Sequence, residues 1–446
     1  MKLLQLNSPA KRRAYNVCVF AGLLTLMALT ATIPFIWESQ SLWYKFGVDR
    51  TLLQAGKIAG LVAAILLFFQ IILALKLKFL DHIFGLDRLY HLHKLGGLAI
   101  LTLATLHASL VIIPEGIKNI PIGWKFWPEM LGGTILLFLI IFVGTALFRR
   151  RLMPYHLWRV VHRPMGYLFI VALSVHIFNV SDSFAKTVPN NALWTLVGVI
   201  SFIAILAKIR SFNAFRSRLA INRCCRINDD ILSLSVTTPP SFTHAPGQFA
   251  FLTLYGKDIT SEAHPFTIAS APDGNSGEEG TLQFFIKRCG DWTEDIAMKE
   301  LIEASIQGPF GLFSYKAQPS ADLLVFVAGG IGITPLLSML RQMSTEENPP
   351  EVMLIWSVSW KKDMFLKDEL ELLQDQLPHL TIHLFYSREK GGRRLDQEQL
   401  GHYLQSVPDK THFYICGPEI MMMQTRKNLR SLGFAAKTIF WERFAL

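Results

Sequence analysis

Two pairs of histidines with one shared spacing lie inside long apolar stretches of this 446-residue chain. His93 and His107 are 14 residues apart, and so are His162 and His176. On an α-helix, 14 residues rise about 21 Å and complete nearly four turns. The members of each pair therefore share almost one face, near opposite edges of a bilayer core. Histidines in hydrocarbon are costly and mark functional positions. The alternative, four histidines that only hydrogen-bond neighbouring helices, is less favoured for two matched pairs.

The matched pairs predict haem ligation. Imidazole is a strong axial ligand of haem iron, and two facing helices could hold two haems, one above the other. The iron ligands predicted are His93, His107, His162 and His176. No Cys-x-x-Cys-His attachment motif occurs in the sequence. We therefore expect two non-covalent haems of b type.

The five cysteines do not indicate a disulfide framework. Cys18, Cys224, Cys225, Cys289 and Cys416 show no metal-type spacing. All five fall on the side of the membrane that is predicted below to be cytoplasmic, where thiols stay reduced.

The first half of the chain concentrates the apolar residues, which make up 51% of the whole. Six stretches are long enough to span a bilayer: Ala14–Ile36, Leu53–Leu75, Leu92–Ile113, Met130–Phe148, Trp158–Val180 and Leu193–Ile209. The first, which follows Lys11–Arg13, could be mistaken for a signal peptide, but its apolar length favours an uncleaved helix. We expect a multi-pass protein of the inner (plasma) membrane.

Basic residues predict the orientation of these spans. They cluster in alternate connections, for example at Lys76, Arg149–Arg151 and Arg210. By the positive-inside rule both termini are cytoplasmic. His93 and His162 then lie near the inner surface, and His107 and His176 near the outer one. The net charge of +10 is largely this topology signal, and nucleic-acid binding is not expected.

The second half has the pattern of two soluble domains. Short apolar runs such as Ile231–Val236, Gln248–Tyr255 and Thr281–Lys287 predict strands of a small antiparallel barrel. An alternation of strands and helices follows. The predicted strands are Leu323–Ala328, Val352–Ser357, Ile382–Tyr386 and Phe413–Cys416, and the predicted helices are Pro335–Met343, Phe365–Gln376 and Glu419–Leu432. This order indicates a parallel α/β sheet that binds a nucleotide.

The first chemical pattern lies in the barrel region. The run from His264 to Ser270 reads His-Pro-Phe-Thr-Ile-Ala-Ser, and Lys287 and Gly290-Asp291-Trp292-Thr293 follow about twenty residues later. An aromatic flanked by hydroxyl and backbone donors can hold a flavin ring, while Lys287 and Thr293 could neutralise its pyrophosphate. Each piece alone could equally be an ordinary strand with a turn.

Two further patterns lie at predicted strand ends of the α/β sheet. Gly329-Gly330-Ile331-Gly332-Ile333-Thr334 follows a buried strand and opens a helix. Glycines there let the backbone approach a pyrophosphate, and the helix N-terminus supplies amide donors. A glycine turn alone is weak evidence, and the strand-turn-helix setting strengthens it. Cys416-Gly417-Pro418 ends another strand.

Together these motifs resemble, in their order, the ferric reductase and NADPH oxidase superfamily of transmembrane flavocytochromes b, over about Leu53 to Phe444. The resemblance implies a six-helix transmembrane bundle that binds two haems, followed by a ferredoxin-NADP reductase-like module. The implied domains are 1–211 for the haems, 212–318 for a β-barrel that binds FAD, and 319–446 for an α/β domain that binds NADPH or NADH.

The resemblance also implies roles for single residues. FAD contacts are implied for His264, Pro265, Phe266, Thr267, Ile268, Ser270, Lys287, Trp292 and Thr293. Pyrophosphate contacts are implied for Gly329, Gly330, Gly332, Ile333 and Thr334, and nicotinamide contacts for Cys416, Gly417 and Pro418. Phe444 is expected to stack on the flavin, although Ala445 and Leu446 follow it here. Lys287 stands where relatives often carry Arg, which keeps the charge but loses the bidentate geometry.

The implied activity carries electrons from NAD(P)H through FAD and two haems to an acceptor on the outer face. Ser387 and Arg388, with Arg393 and Arg394 nearby, are predicted to bind an adenosine 2′-phosphate and so to favour NADPH. Oxygen giving superoxide is the expected acceptor, with Lys57 as the cation near the outer haem. The alternatives are a ferric or cupric chelate, and an electron-transfer module for a periplasmic partner protein. A snorkelling lysine is the competing interpretation of Lys57.

Overall fold

The structure is a computed structural model that describes residues 9–116, 120–152, 155–239, 242–272, 280–318, 320–390, 392 and 395–442. The chain forms two compact units. One comprises Ala14–Leu80 and Arg88–Ile209, and the other comprises Asp81–Asp87 and the chain from Arg210 onward, with the residues up to Arg13. The predicted boundaries at residues 211 and 318 stay predictions.

The first unit is helical. Its elements, with α9 running on into the second unit, are α1 (Pro9–Ile36), α2 (Gln40–Trp43), α3 (Gly47–Ala74), α4 (Lys78–Phe84), α5 (Leu86–Glu115), α6 (Trp127–Leu147), α7 (Arg149–Leu152), α8 (Tyr155–Val180) and α9 (Thr187–Arg216). Among the described residues, six of these helices are long and apolar enough to cross a membrane: α1, α3, α5, α6, α8 and α9. The six predicted spans are confirmed.

Helix α3 is the most buried of the six spanning helices. Alanines at Ala59, Ala63 and Ala64 bring neighbouring backbones close. Below them Phe68, which is 1% exposed, packs against Ile170 of α8 in an apolar cluster. The most buried of the spanning helices is thus the one whose backbone accepts hydrogen bonds from two of the histidines, His93 and His107.

The flavin-type domain is an antiparallel sheet with strand order β4-β3-β6-β1-β2-β5. Its elements are β1 (Leu219–Arg226), β2 (Ile231–Thr237), β3 (Phe249–Gly256), β4 (Ala263–Thr267), β5 (Thr281–Lys287), α10 (Asp291–Ala297) and β6 (Leu301–Phe310). Apolar side chains such as Leu234, Leu252 and Phe284, none of them exposed, fill its interior. The three predicted strands are confirmed.

The second soluble domain is a parallel sheet with strand order β11-β10-β7-β8-β9. Its elements are β7 (Leu323–Gly329), α11 (Ile333–Met343), β8 (Glu351–Val358), α12 (Lys367–Gln376), β9 (Leu380–Tyr386), α13 (Gln397–Tyr403), β10 (Thr411–Cys416), α14 (Glu419–Ser431) and β11 (Ile439–Trp441). The chain builds outward from β7 on one side and then crosses to β10 on the other. The crevice between β7 and β10 is therefore the topological switch point, where such sheets bind ligands.

Candidate functional site

Three of the four predicted iron ligands hydrogen-bond to the backbone of a neighbouring helix through Nδ1. His107 donates to the Gly56 carbonyl at 2.8 Å, His93 to the Gln70 carbonyl at 3.2 Å, and His176 to the Pro128 carbonyl at 2.8 Å. A carbonyl oxygen only accepts, so each Nδ1 carries the proton and each Nε2 keeps a lone pair. A hydrogen bond from the second ring nitrogen to a carbonyl is typical of a metal-ligating histidine.

Two glycines make room for the rings of His107 and His176. A Cβ at Gly60 would lie 2.7 Å from Nδ1 of His107, and one at Gly132 would lie 2.4 Å from Cε1 of His176. Both distances are shorter than any real side chain allows. The imidazoles thus press against the bare backbones of α3 and α6, and they are close enough to each other to interact electrostatically.

A second pair is formed by His93 and His162, whose ring centroids are 6.1 Å apart. Phe142 stacks on His162 at 4.3 Å, and Trp158 covers it at the same distance. The buried Nδ1 of His162 has no hydrogen-bond partner in the part of the chain that is described. These residues fit axial ligation of a haem.

Lys57 lies in α3, one turn before Gly60. Its ammonium donates to the Ser39 hydroxyl and, at 2.8 Å, to the Ser41 hydroxyl. Its charge interacts with Asp182 and with His107. The structure therefore brings Lys57 close to His107, and it places the lysine against neighbouring protein rather than extended toward solvent.

The two flavin-type motifs of the barrel meet at Trp292. His264 stacks on this indole at 4.1 Å, and Phe266 lies parallel to it at 6.2 Å. The indole Nε1 donates to the Thr260 carbonyl at 2.9 Å, which fixes the ring. Thr293 closes the turn before α10, because its hydroxyl accepts from the Cys289 N–H at 2.9 Å. Segments about twenty-five residues apart thus form one surface.

The other predicted flavin contacts are distributed differently. Lys287 is exposed at the end of β5, and Pro265 lies opposite Phe251 in the β3–β4 register. Thr267 is buried at the end of β4. Ile268 is fully buried in the barrel core, and the Ser270 hydroxyl accepts from the backbone of β5. The side chains of Ile268 and Ser270 thus lie in the interior and support the surface formed by His264, Phe266 and Trp292.

The two glycine motifs of the parallel sheet lie against each other at the switch point. A Cβ at Gly332 would lie 2.4 Å from the Cys416 carbonyl, and one at Gly417 would lie 2.9 Å from the backbone of Gly329. Gly330 adopts φ +53°, the left-handed region that glycine tolerates. Only glycines allow the two turns to approach this closely.

The remaining residues of this edge anchor the turns. Ile333 is fully buried in the domain core, and the Thr334 hydroxyl donates to the Ile331 carbonyl at 3.0 Å. Pro418 lies directly before α14. Sequence reasoning missed Trp356, a fully buried residue of β8 whose Nε1 donates to the Gly330 carbonyl at 3.0 Å. An isolated tryptophan in an apolar strand carries no signal of such a role.

Cys416 is fully buried in the apolar core below this edge. Burial, and then the neighbouring Glu442 carboxylate, raise the pKa of its thiol well above the ordinary value. Burial also raises the pKa of Glu442 well above its ordinary value, with Asp87 and Asp81 adding to the effect. The thiol is therefore protonated at neutral pH, and its contact with a nicotinamide stays a prediction. Phe444 lies outside the described residues.

The predicted 2′-phosphate site follows β9, two strands from the glycine turn. Ser387 donates its N–H to the Val358 carbonyl at 2.9 Å, and Arg388 donates its own to the Ser359 carbonyl at 3.0 Å. The Arg388 residue is exposed. Ser387 and Arg388 thus sit at the same carboxyl edge as the glycines, and Arg393 and Arg394 lie outside the described residues.

The fold and these sites define a membrane-embedded chain with the flavin- and nucleotide-binding domains of an oxidoreductase. Residues 59–173 match the ferric reductase like transmembrane component, residues 217–347 the FAD-binding domain, and residues 326–427 the oxidoreductase NAD-binding domain. These three matches, in this order, are consistent with the ferric reductase and NADPH oxidase superfamily that the sequence motifs predicted.

Individual proteins show the same likeness. The chain is 25% identical over 388 residues to a probable cell surface ferric reductase kap2 of Aspergillus oryzae, covering 79% of this chain and 50% of that protein. It is 28% identical over 281 residues to ferric reduction oxidase 8, mitochondrial, of Arabidopsis thaliana, covering 57% and 36%. The chain thus spans half the length of these curated relatives or less. A ferredoxin NADP+ reductase structure from Neisseria gonorrhoeae aligns with a TM-score of 0.44 at 22% identity, over 51% of this chain and 97% of that chain.

Proposed function

We propose that this protein carries electrons from cytoplasmic NAD(P)H across the membrane to an acceptor on the outer face. The single observation that supports the proposal is the hydrogen bonding and spacing of the four histidine rings. Three of them donate their Nδ1 proton to a backbone carbonyl. The fourth, His162, has a buried Nδ1 with no hydrogen-bond partner among the described residues. Its ring centroid lies 6.1 Å from that of His93. Such rings are prepared to bind metal and would be costly otherwise.

The residues on each site indicate the cofactors. His93 with His162, and His107 with His176, would each hold one b haem, while the surface around His264 and Trp292 would hold FAD. FAD accepts two electrons at once and releases them singly, and haem passes one electron at a time, so the two supply the conversion between hydride and single electrons. The protein binds and orients these groups, and it excludes water from the path with apolar helices.

The acceptor is proposed to be oxygen, reduced by one electron to superoxide. Lys57 supports this, because an ammonium carries three N–H groups and the Ser39 and Ser41 hydroxyls accept two of them. One remains to stabilise a nascent anion near the outer histidines. A chelated ferric ion is the second candidate, favoured by the names of the relatives from Aspergillus and Arabidopsis.

The acceptors are separated by one pair of assays on the purified protein. For oxygen, reduction of cytochrome c is expected to be suppressed by superoxide dismutase. For ferric chelate, a ferrous chelator is expected to develop colour rapidly under anaerobic conditions, and the cytochrome c signal is then insensitive to dismutase. The second result would replace oxygen with a metal chelate as the substrate.

Haem content tests the underlying electron path. We expect about two low-spin b haems per chain by the pyridine haemochrome assay, falling to one or none in His93→Ala or His176→Ala. His91→Ala is the matched control, because this exposed histidine lies on α5 two residues before His93. One haem in the well-folded parent, or parental content in both variants, would refute the assignment of the ligands.

A further inference from the structure

A buried arginine joins the nucleotide-binding helix to the flavin-binding barrel. Arg341, in the last turns of α11, is 7% exposed. Its guanidinium makes a two-pronged ion pair with Glu369 of α12, with Nε to Oε1 at 2.5 Å and Nη2 to Oε2 at 2.9 Å. Planar forked pairs of this kind hold orientation as well as charge.

The third nitrogen of the same guanidinium, Nη1, contacts the flavin-binding barrel. Nη1 of Arg341 donates to the Ala269 carbonyl at 2.9 Å and to Oε1 of Gln283 at 2.8 Å. Gln283 belongs to β5, and its backbone carbonyl accepts from the Ala269 N–H at 2.8 Å. One arginine therefore satisfies partners on α12, on β5 and on the segment that follows β4.

A second residue on the same face of α11 repeats the link. Ser338 precedes Arg341 by three residues, so the two side chains lie on one helix face. Its hydroxyl, which is fully buried, donates to the Ser270 carbonyl at 2.9 Å. The segment Ala269–Ser270 is thus held by α11 at two consecutive carbonyls.

This connection joins the two halves of the proposed site: the glycine turn that would bind the nucleotide, and the barrel surface that would bind the flavin. Helix α11 begins directly after the glycine turn Gly329–Gly332, about 12 Å along the helix axis from Arg341 at 1.5 Å per residue. Ala269–Ser270 continues the strand that carries His264 and Phe266. A helix of this length moves as a rigid rod, so its attachment at Arg341 also determines where the glycine turn sits against the barrel.

We propose that Arg341 is a positioning residue for hydride transfer, setting the nicotinamide against the flavin through α11 and Ala269–Ser270. The proposal rests on the proposed NAD(P)H and FAD sites. In the step itself a hydride, one proton with two electrons, leaves C4 of the nicotinamide and bonds to N5 of the flavin, so that the nucleotide is oxidised and the flavin reduced. Reacting atoms must approach to about 3–3.5 Å, and a misplacement of about 1 Å can cost on the order of 100-fold in rate.

The test separates the rate of flavin reduction from nucleotide affinity. Anaerobic stopped-flow of the full-length holoprotein with NADPH measures both from the combined flavin and haem absorbance changes, in the absence of any outer acceptor. For Arg341→Gln we expect the limiting rate to fall by about tenfold or more, with the Kd for NADPH within about threefold. Arg341→Lys keeps the positive charge but loses the forked geometry, so its limiting rate is expected to lie between those of the parent and of Arg341→Gln.

Two further variants keep the test decisive. Ser338→Ala removes one hydrogen bond from the same connection and is expected to lower the rate by about twofold to fivefold. Arg430→Gln is the control, since this exposed arginine of α14 also donates to a carbonyl, that of Phe434 at 2.9 Å, and makes no hydrogen bond to the described residues of the barrel. If Arg341→Gln loses its FAD, Ser338→Ala decides the question with the same two measurements.

Hydrogen exchange supplies a readout that does not depend on turnover. Unreactive NADP+ is expected to slow exchange of the Ala269 amide in the parent and in Arg430→Gln, and to leave it unchanged in Arg341→Gln. Parental rates and parental exchange in both Arg341→Gln and Ser338→Ala would overturn the proposal. Failure of NADPH to reduce the flavin of the parent would instead refute the proposed function itself.

Discussion

The histidine pairs of the membrane unit and the nucleotide edge of the parallel sheet are built in opposite ways. In the membrane unit, side chains of single helices project toward each other, and the backbone of neighbouring helices serves only as acceptor. At the sheet edge the backbone of two turns forms the site, and the side chains lie behind it. The first arrangement suits a metal ion, and the second suits a phosphate that binds amide donors.

Glycine serves both regions for different reasons. Gly60 and Gly132 leave space for an imidazole ring, whereas Gly332 and Gly417 leave space for another stretch of backbone. A substitution in the first case displaces one side chain, while in the second it must separate the backbones of two turns.

The largest effect is expected for Gly132→Ala. Its Cβ would lie 2.4 Å from the His176 ring, which donates to the Pro128 carbonyl one turn earlier on the same helix. The ring must shift, so we expect the loss of about one haem per chain by pyridine haemochrome, with flavin content unchanged. The matched control is Gly133→Ala on the same helix, where a Cβ meets nothing within 4 Å. Equal haem content in Gly132→Ala and Gly133→Ala would show that Gly132 is not needed to place the His176 ring.

A smaller effect is expected at the sheet edge. Replacing Ser387 and Arg388 together by Ala removes a hydroxyl and a guanidinium beside the proposed 2′-phosphate position. Hydrogen bonds to a charged group contribute about 1.5–3 kcal/mol, so the preference of kcat/KM for NADPH over NADH is expected to shrink by about tenfold or more. The double variant should leave haem content unchanged. A parent that uses both nucleotides equally well would contradict this prediction.

The smallest effect concerns Glu442, behind the switch point. Burial and the carboxylates of Asp87 and Asp81 raise its pKa above the ordinary value of 4.5. Between that value and the raised one, the folded state holds a proton that the unfolded state releases, so stability falls as pH rises. The slope is at most about 1.4 kcal/mol per pH unit.

Glu442→Gln is expected to flatten this decline. Thermal unfolding followed by tryptophan fluorescence at pH 5, 6 and 7 measures it, with Glu351→Gln at an exposed strand start as the control. An unchanged pH profile in Glu442→Gln would show that the carboxyl ionises freely in the folded protein.

Much of the architecture was predictable from local patterns. The membrane spans and the long apolar strands are continuous in sequence, so periodicity and length suffice to find them. Strands β6 and β11 were missed for physical reasons. β6 carries Glu303 and ends near Pro309, which resembles a loop, and β11 is only three residues long. Both are held in place by neighbouring strands rather than by their own composition.

One connection was missed for a stronger reason. Asp81–Asp87 links two spanning helices in sequence, but it packs with the unit that begins at Arg210. The Asp81 carboxylate is fully buried and accepts the Gly311 N–H at 3.0 and 3.3 Å. The two residues are 230 positions apart, and an acidic residue in a short loop predicts only an exposed turn.

The sequence alone determined the six spans, the two histidine spacings and the strand-turn-helix setting of the glycine motif, because each depends on residues within a single continuous segment of chain. The tertiary structure decided which carbonyl accepts each imidazole proton, that His264 stacks on Trp292, that Gly332 meets Cys416, and that Arg341 reaches Ala269. These contacts join residues brought together only by packing and by strand order. No local periodicity encodes the partner of a side chain on another element.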